Sequence, residues 1–565
     1  MGPGNDRPGP AAPRENSRRI VGRMGSAFMR ILHEKHAGEL FVLGFACILA
    51  IHARTIIQAE QRVVDNALVL LGEVRFPPGS VMESYFSSTW TILTQIASLL
   101  LLLTRSEMAT SIIVNVFSSL LFYTGLFRIA ASISGSRIAG VFISTAMFSG
   151  LVCLGSTDYP VFYLSEHSFG LFAYAFFTFM MGEMFAGRKK SLGFCLGVFP
   201  AIHAVVGMYC NGVFALVFLI GNIREKSFGI RKLLKWDGAK TWYCIGGLLS
   251  ILSLVVFLLL RGEVASLGDA TYVGDYIKYW DYHRSIKGIN YTYVKLTCVF
   301  LAALFFLYAT RPGIRKSVFF LICFVSISML LYVFKNSLWI FPEPFVRIMP
   351  TRFSSLHSIL GATVIASAFI AMMDRMFRKI NKESIARYVL PAACVLLAGY
   401  VLLNMAGALK AYGNPAETTE GENSSHAVQE KQWDNVRKAL EGSVITTSST
   451  SLPVLRRGKM PILLDMTGFD FVPYLPDTSG KVKAILEGVY KIDFYAPPPG
   501  VRNRGTVPDF ASKQIFQKMQ CEEWRAIREQ FSANIVAVPK KWVMDLQLLE
   551  TIDGISLYVI SNCGE

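Results

Sequence analysis

"SLGFCLGVFPAIHAVVGMYCNGVFALVFLIGN", Ser191 to Asn222, decides how often this chain crosses a membrane. The stretch is apolar throughout. It is too long for one straight crossing of about 20 residues and too short for two. Pro200 interrupts it, and a proline inside a helix removes a backbone donor and kinks or breaks the helix. One broken crossing with a re-entrant half reads best, because irregular backbone at membrane depth is tolerated where it lines a cavity. A tight hairpin would leave each arm short of a full span. The cost of one crossing is that "RKK" (188–190) then lies outside, against the tendency of basic loops to stay in the cytoplasm.

Working outward, similar apolar segments fall near 39–57, 87–104, 108–131, 137–155, 168–187, 241–260, 294–310, 317–334, 353–374 and 388–409. The chain has 565 residues, 52% hydrophobic and 17% charged, against about 25% charged in soluble domains. The expected fold class is mainly α: a polytopic helical membrane protein of about eleven transmembrane helices with a C-terminal extracytoplasmic α/β domain. The net charge of +16 excludes little by itself. The basic residues gather in short loops such as 222–240, 311–316 and 375–387, where the positive-inside bias puts them, so no nucleic-acid partner is implied. The expected location is a bacterial inner membrane, with the N-terminus cytoplasmic and the C-terminal domain outside.

Residues 1–38 read as a disordered basic leader, 39–410 as the multi-span region and 411–426 as a linker. Residues 427–565 read as a soluble domain of ordinary size. In it "AVQEKQWDNVRKALEG", "SGKVKAILEGVY" and "CEEWRAIREQF" have helical character, and "SVITTS", "PILLD", "NIVAVP" and "ISLYVI" read as strands. Such alternation favours an α/β layer domain. Cys521 and Cys563 are the two cysteines of this outer part and are expected to pair. The other cysteines sit in apolar segments as small core residues, and no spacing suggests zinc.

Ionisable groups at membrane boundaries are expensive unless they face a cavity, and four clusters stand out. In the first outer loop, residues 60–72 form an amphipathic helix expected to lie on the membrane. Asp65 sits in it, and Glu73 and Glu83 follow. Such a carboxylate could take a proton from an acceptor hydroxyl or hold a divalent metal; otherwise it caps a helix or is solvated. The second cluster has His167 before a span, with His203 beside the break at Pro200. The third is "YIKYWDYHRS" (276–285). Asp281 and Arg284 are three apart and can pair, and the tyrosines and Trp280 form an interfacial belt. Alternatively, with Lys278 and His283, the stretch is a sugar or phosphate site. The fourth places Arg347 and Arg352 at an outer span mouth, where outward arginines call for an anionic partner such as a lipid phosphate. A salt bridge from Arg347 to Glu343 is the competing reading.

These features together resemble the C-type (GT-C-like) polytopic membrane glycosyltransferases. The resemblance lies in the layout: a cytoplasmic N-terminus, an acid-bearing first outer loop, many spans and an outer α/β domain. Where that family often has paired acids in the first outer loop, this chain has the separated Asp65, Glu73 and Glu83. The segments "GSTDYP…EHSFG", "IHAVVG" and "YWDYHRS" also resemble an uncharacterised group of bacterial multi-pass membrane proteins. The glycosyltransferase resemblance implies a sugar moved from a polyprenyl-phosphate donor to a cell-envelope acceptor at the outer face, with membrane lipid as surroundings, as in envelope polysaccharide biosynthesis. Asp65, Glu83 or His167 would be catalytic. Lys278, Trp280, Asp281, His283, Arg284, Arg347, Arg352 and His203 would bind substrate. A lipid or polysaccharide transporter or flippase would need mid-membrane charges and internal duplication, and neither stands out. A polymer ligase or polymerase of the envelope, or a non-catalytic envelope assembly or sensor protein, completes the alternatives.

Overall fold

The structure is a computed structural model. It describes residues 37–56, 62–146, 168–224, 238–261, 270–281, 284, 289, 291–334, 345, 347–349, 353–379, 419–439 and 442–560. The leader, the expected span at 388–409, His167, His283, Glu343, Arg352 and Cys563 lie outside the described residues.

Among the described residues, five helices are long and apolar enough to cross a bilayer: Glu107–Ser134, Gly238–Leu260, Tyr291–Thr310, Pro312–Val333 and Phe353–Met373. A pair bent by 97°, Val81–Ser88 with Ile92–Thr104, would make a sixth, and shorter apolar helices accompany them. Length and composition therefore do not by themselves deliver the expected eleven. The chain is a multi-helix membrane protein with an appended α/β domain.

In chain order the helices of the bundle are α1 (Ala37–Ile56), α2 (Arg62–Leu70), α3 (Val81–Ser88), α4 (Ile92–Thr104), α5 (Glu107–Ser134), α6 (Arg137–Ala146), α7 (Phe169–Phe185), α8 (Lys189–Ile202), α9 (Ala204–Arg224), α10 (Gly238–Leu260), α11 (Val273–Tyr279), α12 (Tyr291–Thr310), α13 (Arg315–Val333) and α14 (Phe353–Lys379). At one end of the bundle Arg128 of α5 is ion-paired with Glu39 of α1 and Glu183 of α7. At that same end Ser317 of α13 donates to the Met184 carbonyl, and Arg311 to that of Ser134. The other end carries the C-terminal domain.

Two expected crossings turn out differently, for physical reasons visible in the side chains. Pro200 has no N–H, so the Leu196 carbonyl loses its helical partner. Asn211 supplies one: its Nδ2 donates to Leu196 O at 2.9 Å. Residues fifteen apart on a continuous helix would be about 22 Å apart, so α9 folds back against α8. Gly207 sits against the Phe199–Pro200 backbone, where a Cβ would collide. The stretch is thus a reversal, not one broken crossing. Arg188 joins the Glu39 and Glu183 cluster, so "RKK" shares an end with Arg311 and the conflict with the charge rule disappears.

The second difference is at 87–104. Thr91, which caps α4, donates to the Ile202 carbonyl at the domain end. At the far side of α4, Glu107 lies within electrostatic reach of Asp65, Glu73, Arg456 and Lys459. The α3–α4 pair therefore starts and finishes at the domain end and is re-entrant.

Helix contacts inside the bundle are made through small residues. Gly193 and Gly197 of α8 meet the α10 backbone at Ala239 and Tyr243, and Gly246 returns the contact at Phe194. This is a small-xxx-small crossing, with Ser250 Oγ donating to Gly197 O at 2.9 Å. Gly125 and Gly182 bring α5 and α7 together in the same way.

The C-terminal domain opens with α15 (Thr419–Ala439), which begins inside the expected linker. Strands β1 (Ser443–Thr446), β2 (Ala533–Pro539), β3 (Gln547–Ile552) and β4 (Ile555–Val559) form one sheet in the order β1-β2-β4-β3. β1 and β2 are parallel; the other pairs are antiparallel. The expected strand at "PILLD" is only a bridge from Ile462 to Val444. Helices α16 (Ser451–Arg456), α17 (Ser479–Gly488), α18 (Asp509–Phe516) and α19 (Cys521–Phe531) cover the sheet. Cys521 is disulfide-bonded.

Candidate functional site

The domain's apolar core does not stop at its own residues. It takes in Leu68, Val74, Val81, Met82, Phe86 and Leu101 from the segment running from α2 to α4, and Tyr276 and Trp280 from the segment after α10. Helix α2, expected on the membrane surface, is instead sealed between α4 and the domain, with Val63, Val64, Ala67 and Leu68 buried.

This placement gives several sequence-flagged groups partners inside the protein. Asp65 is 1% exposed and takes both Arg456 donors, Nε at 2.5 Å and Nη2 at 2.9 Å. Its carboxylate ties α2 to the domain. Arg62 reciprocates toward Asp465 and Thr467. Glu73 pairs with Lys459 at 2.9 Å near the surface. Glu83 accepts from Gly79 N–H while its own amide is capped by Ser80, so it closes the first turn of α3. Trp280 is fully buried, donates from Nε1 to Phe494 O at 2.8 Å and is covered by Phe469 and Phe494. No open ring face remains for a sugar. Tyr276 donates to Phe469 O at 2.9 Å; burial and the nearby Asp281 and Asp470 carboxylates push its phenol well above the usual range. Lys278 is solvent-exposed over the Tyr279 ring.

A different set converges. Arg284 and Asp281 form the expected pair, Nη1 to Oδ2 at 2.5 Å, both side chains almost fully buried. The Arg284 amide donates to Asp281 Oδ1 at 2.9 Å, and its Nε donates to the Arg347 carbonyl at 2.8 Å. The third and fourth clusters are therefore one. The guanidinium lies 4.6 Å from the centre of the Tyr474 ring, which belongs to the C-terminal domain. Tyr474 in turn lines a cavity with Gly170, Tyr174, His203, Ile348 and Phe353. So the α8–α9 reversal, the Arg347 segment and the domain meet at one place.

His203 caps the reversal. Its Nδ1 accepts from Val206 N–H at 3.4 Å and its carbonyl accepts from Gly207 N–H at 2.8 Å. Acceptance at Nδ1 requires the neutral ring to carry its proton on Nε2, which makes that nitrogen a donor. Tyr174 and Tyr474 were not flagged by the sequence; aromatic residues at cavity mouths look like any core aromatic until the fold brings them together. His357 is another: it is buried in α14, with Nε2 2.7 Å from the Tyr293 hydroxyl. Among the described residues no group of three or more His, Cys, Asp or Glu could hold a metal ion.

No protein-family model matches the sequence, and no curated protein does. Similar solved structures include the Archaeoglobus fulgidus oligosaccharyltransferase in its apo form. It has 10% identity and a TM-score of 0.47, with 90% of this chain and 70% of that chain covered. The same enzyme tethered to an acceptor peptide containing the NVT sequon gives a TM-score of 0.41 at 10% identity and the same coverage.

Proposed function

We propose that the protein is a glycosyltransferase that takes a sugar from a polyprenyl-phosphate donor and passes it to an envelope acceptor at the domain end of the bundle. One observation carries this reading: Arg284 holds the Arg347 main-chain carbonyl and stacks on Tyr474, which lines a cavity that apolar bundle residues share with the C-terminal domain. A lipid phosphate needs such a boundary, with arginines for the head and an apolar wall for the chain.

In this mechanism the bond between the anomeric carbon and the phosphate oxygen breaks, and the electron pair leaves with the phosphate. Arg347 and Arg352 meet the charge that develops there, Arg284 adds a hydrogen bond, and His203 forms part of the cavity wall beside them. The acceptor oxygen bonds to the anomeric carbon and gives up its proton to a base. Asp65 and Glu83 are tied by Arg456 and by a helix cap, so we assign them to holding the loop. His167 takes the role of base.

The test is turnover of a short-chain polyprenyl-phosphate-linked hexose by the reconstituted protein. Each charge-assisted contact contributes on the order of 1.5–3 kcal/mol, so Arg347→Lys slows turnover roughly tenfold to over a hundredfold. Wild-type rates in Arg347→Lys and Arg347→Ala would remove the phosphate site.

A further inference from the structure

We infer that the C-terminal domain supplies a positioning residue, Tyr474, to the anion site, and that the donor it positions is Nη2 of Arg284; this rests on the reading above. Three contacts orient that guanidinium. Nε is held by the Arg347 carbonyl and Nη1 by Asp281. One face stacks on Tyr474. Nη2 is buried and has no hydrogen-bond partner. A buried N–H left unpaired is costly, and a guanidinium oriented by two hydrogen bonds and a ring, with its Nη2 amino group left over, is built to receive an acceptor atom.

The chemistry of that acceptor follows from the charges. Asp281 already balances Arg284, so Nη2 offers a directed hydrogen bond more than net positive charge. It fits one oxygen of a phosphate whose charge Arg347 meets. Tyr474 matters because it does two things at once: its ring supports the guanidinium, and it forms part of the cavity wall with His203 and Phe353. Support by a ring face requires the aromatic system and not the phenol.

The experiment uses the full chain in lipid nanodiscs, with farnesyl phosphate as probe and farnesol as uncharged control, and thermal unfolding recorded for each variant. Tyr474→Leu is expected to weaken farnesyl phosphate binding roughly two- to thirtyfold, because the guanidinium loses the ring that orients it. Farnesol, which offers no anion, should lose far less in the same variant, and the unfolding record should show that the protein stays folded. Tyr474→Phe should bind within about twofold of wild type, since the ring is kept. Arg284→Lys keeps the pair with Asp281 but has no Nη2, and should weaken binding about tenfold or more. Tyr474→Gln provides the same reading should Tyr474→Leu not fold. If Tyr474→Leu binds like wild type while Arg284→Lys does not, the role of Tyr474 is overturned and the anion site stands. If Tyr474→Phe falls with Tyr474→Leu, the ring-support role is likewise overturned. If Arg284→Lys and Arg347→Lys both bind like wild type, the underlying phosphate reading fails.

Discussion

Breaking the Asp65–Arg456 pair should undock the outer domain from the first outer loop. Both carboxylate oxygens are engaged, and the side chains are 1% and 15% exposed. Removing one partner of a buried pair costs about 3–5 kcal/mol, because the survivor remains desolvated and unpaired. Arg456 keeps some access to water, so about 3 kcal/mol is the working value. That is over a hundredfold in the docking equilibrium. Asp65→Leu and Arg456→Met should each show it as a lower unfolding temperature and as protease cleavage within residues 62–88. The double variant should cost less than either single change, since an apolar pair replaces an ion pair and leaves no orphan. Single changes below about 0.5 kcal/mol, or a double equal to the sum of the singles, would refute a coupled buried pair. An Asp65→Asn variant that stays docked yet loses turnover would instead give Asp65 the catalytic role its position in the sequence suggests.

Three further outcomes follow from other parts of the fold. Asn211→Leu should cost on the order of 1–2 kcal/mol by orphaning the Leu196 carbonyl, and in a Pro200→Ala background, where an N–H returns, that cost should shrink; equal costs in both backgrounds would disprove the fold-back cap. Gly197→Leu should destabilise the bundle by about 1–3 kcal/mol or more, because its side chain would strike the α10 backbone; unfolding followed by helix loss would show no change if that crossing were absent. The Asp509 carboxyl is opposed by burial but is held below its ordinary value by the Ser449 and Ser448 groups that bond to it. A depressed carboxyl adds stability that is present above its unfolded value, near 3.9, and lost as pH falls below that through the folded value. The Asp509→Asn protein should therefore be less stable than wild type at pH 6 and differ little near pH 2, and a constant gap would contradict this.

The apolar helices, the mixed C-terminal domain and the Asp281–Arg284 pair were legible because period and spacing are local properties. The rest depended on partners. The amphipathic face of residues 60–72 announces that something apolar covers it, yet nothing in the stretch says whether that is lipid or protein. Pro200 announced an orphaned carbonyl, and the polar Asn211 in an apolar run was the signal for its cure. Gly193 and Gly197 were likewise a readable crossing motif. Between Arg284 and Tyr474 lie the bundle helices α12 to α14 and the opening of the C-terminal domain, and no local pattern links them. Trp280 read as an interfacial aromatic because burial in a distant core leaves no mark on the residues beside it.

The seal over α2 also sets a timetable. Asp65 meets Arg456 across 391 positions of chain, and chains grow at about 5–20 residues per second. The first outer loop therefore waits roughly 20–80 seconds for its cover to be made. Through that interval Val63, Val64, Ala67 and Leu68 have no protein to lie against, and Arg62 and Asp65 must stay hydrated. Any lesion that stops synthesis or folding of the last part of the chain leaves this early apolar face bare, a ready target for chaperones and proteases long after the spans themselves are in place.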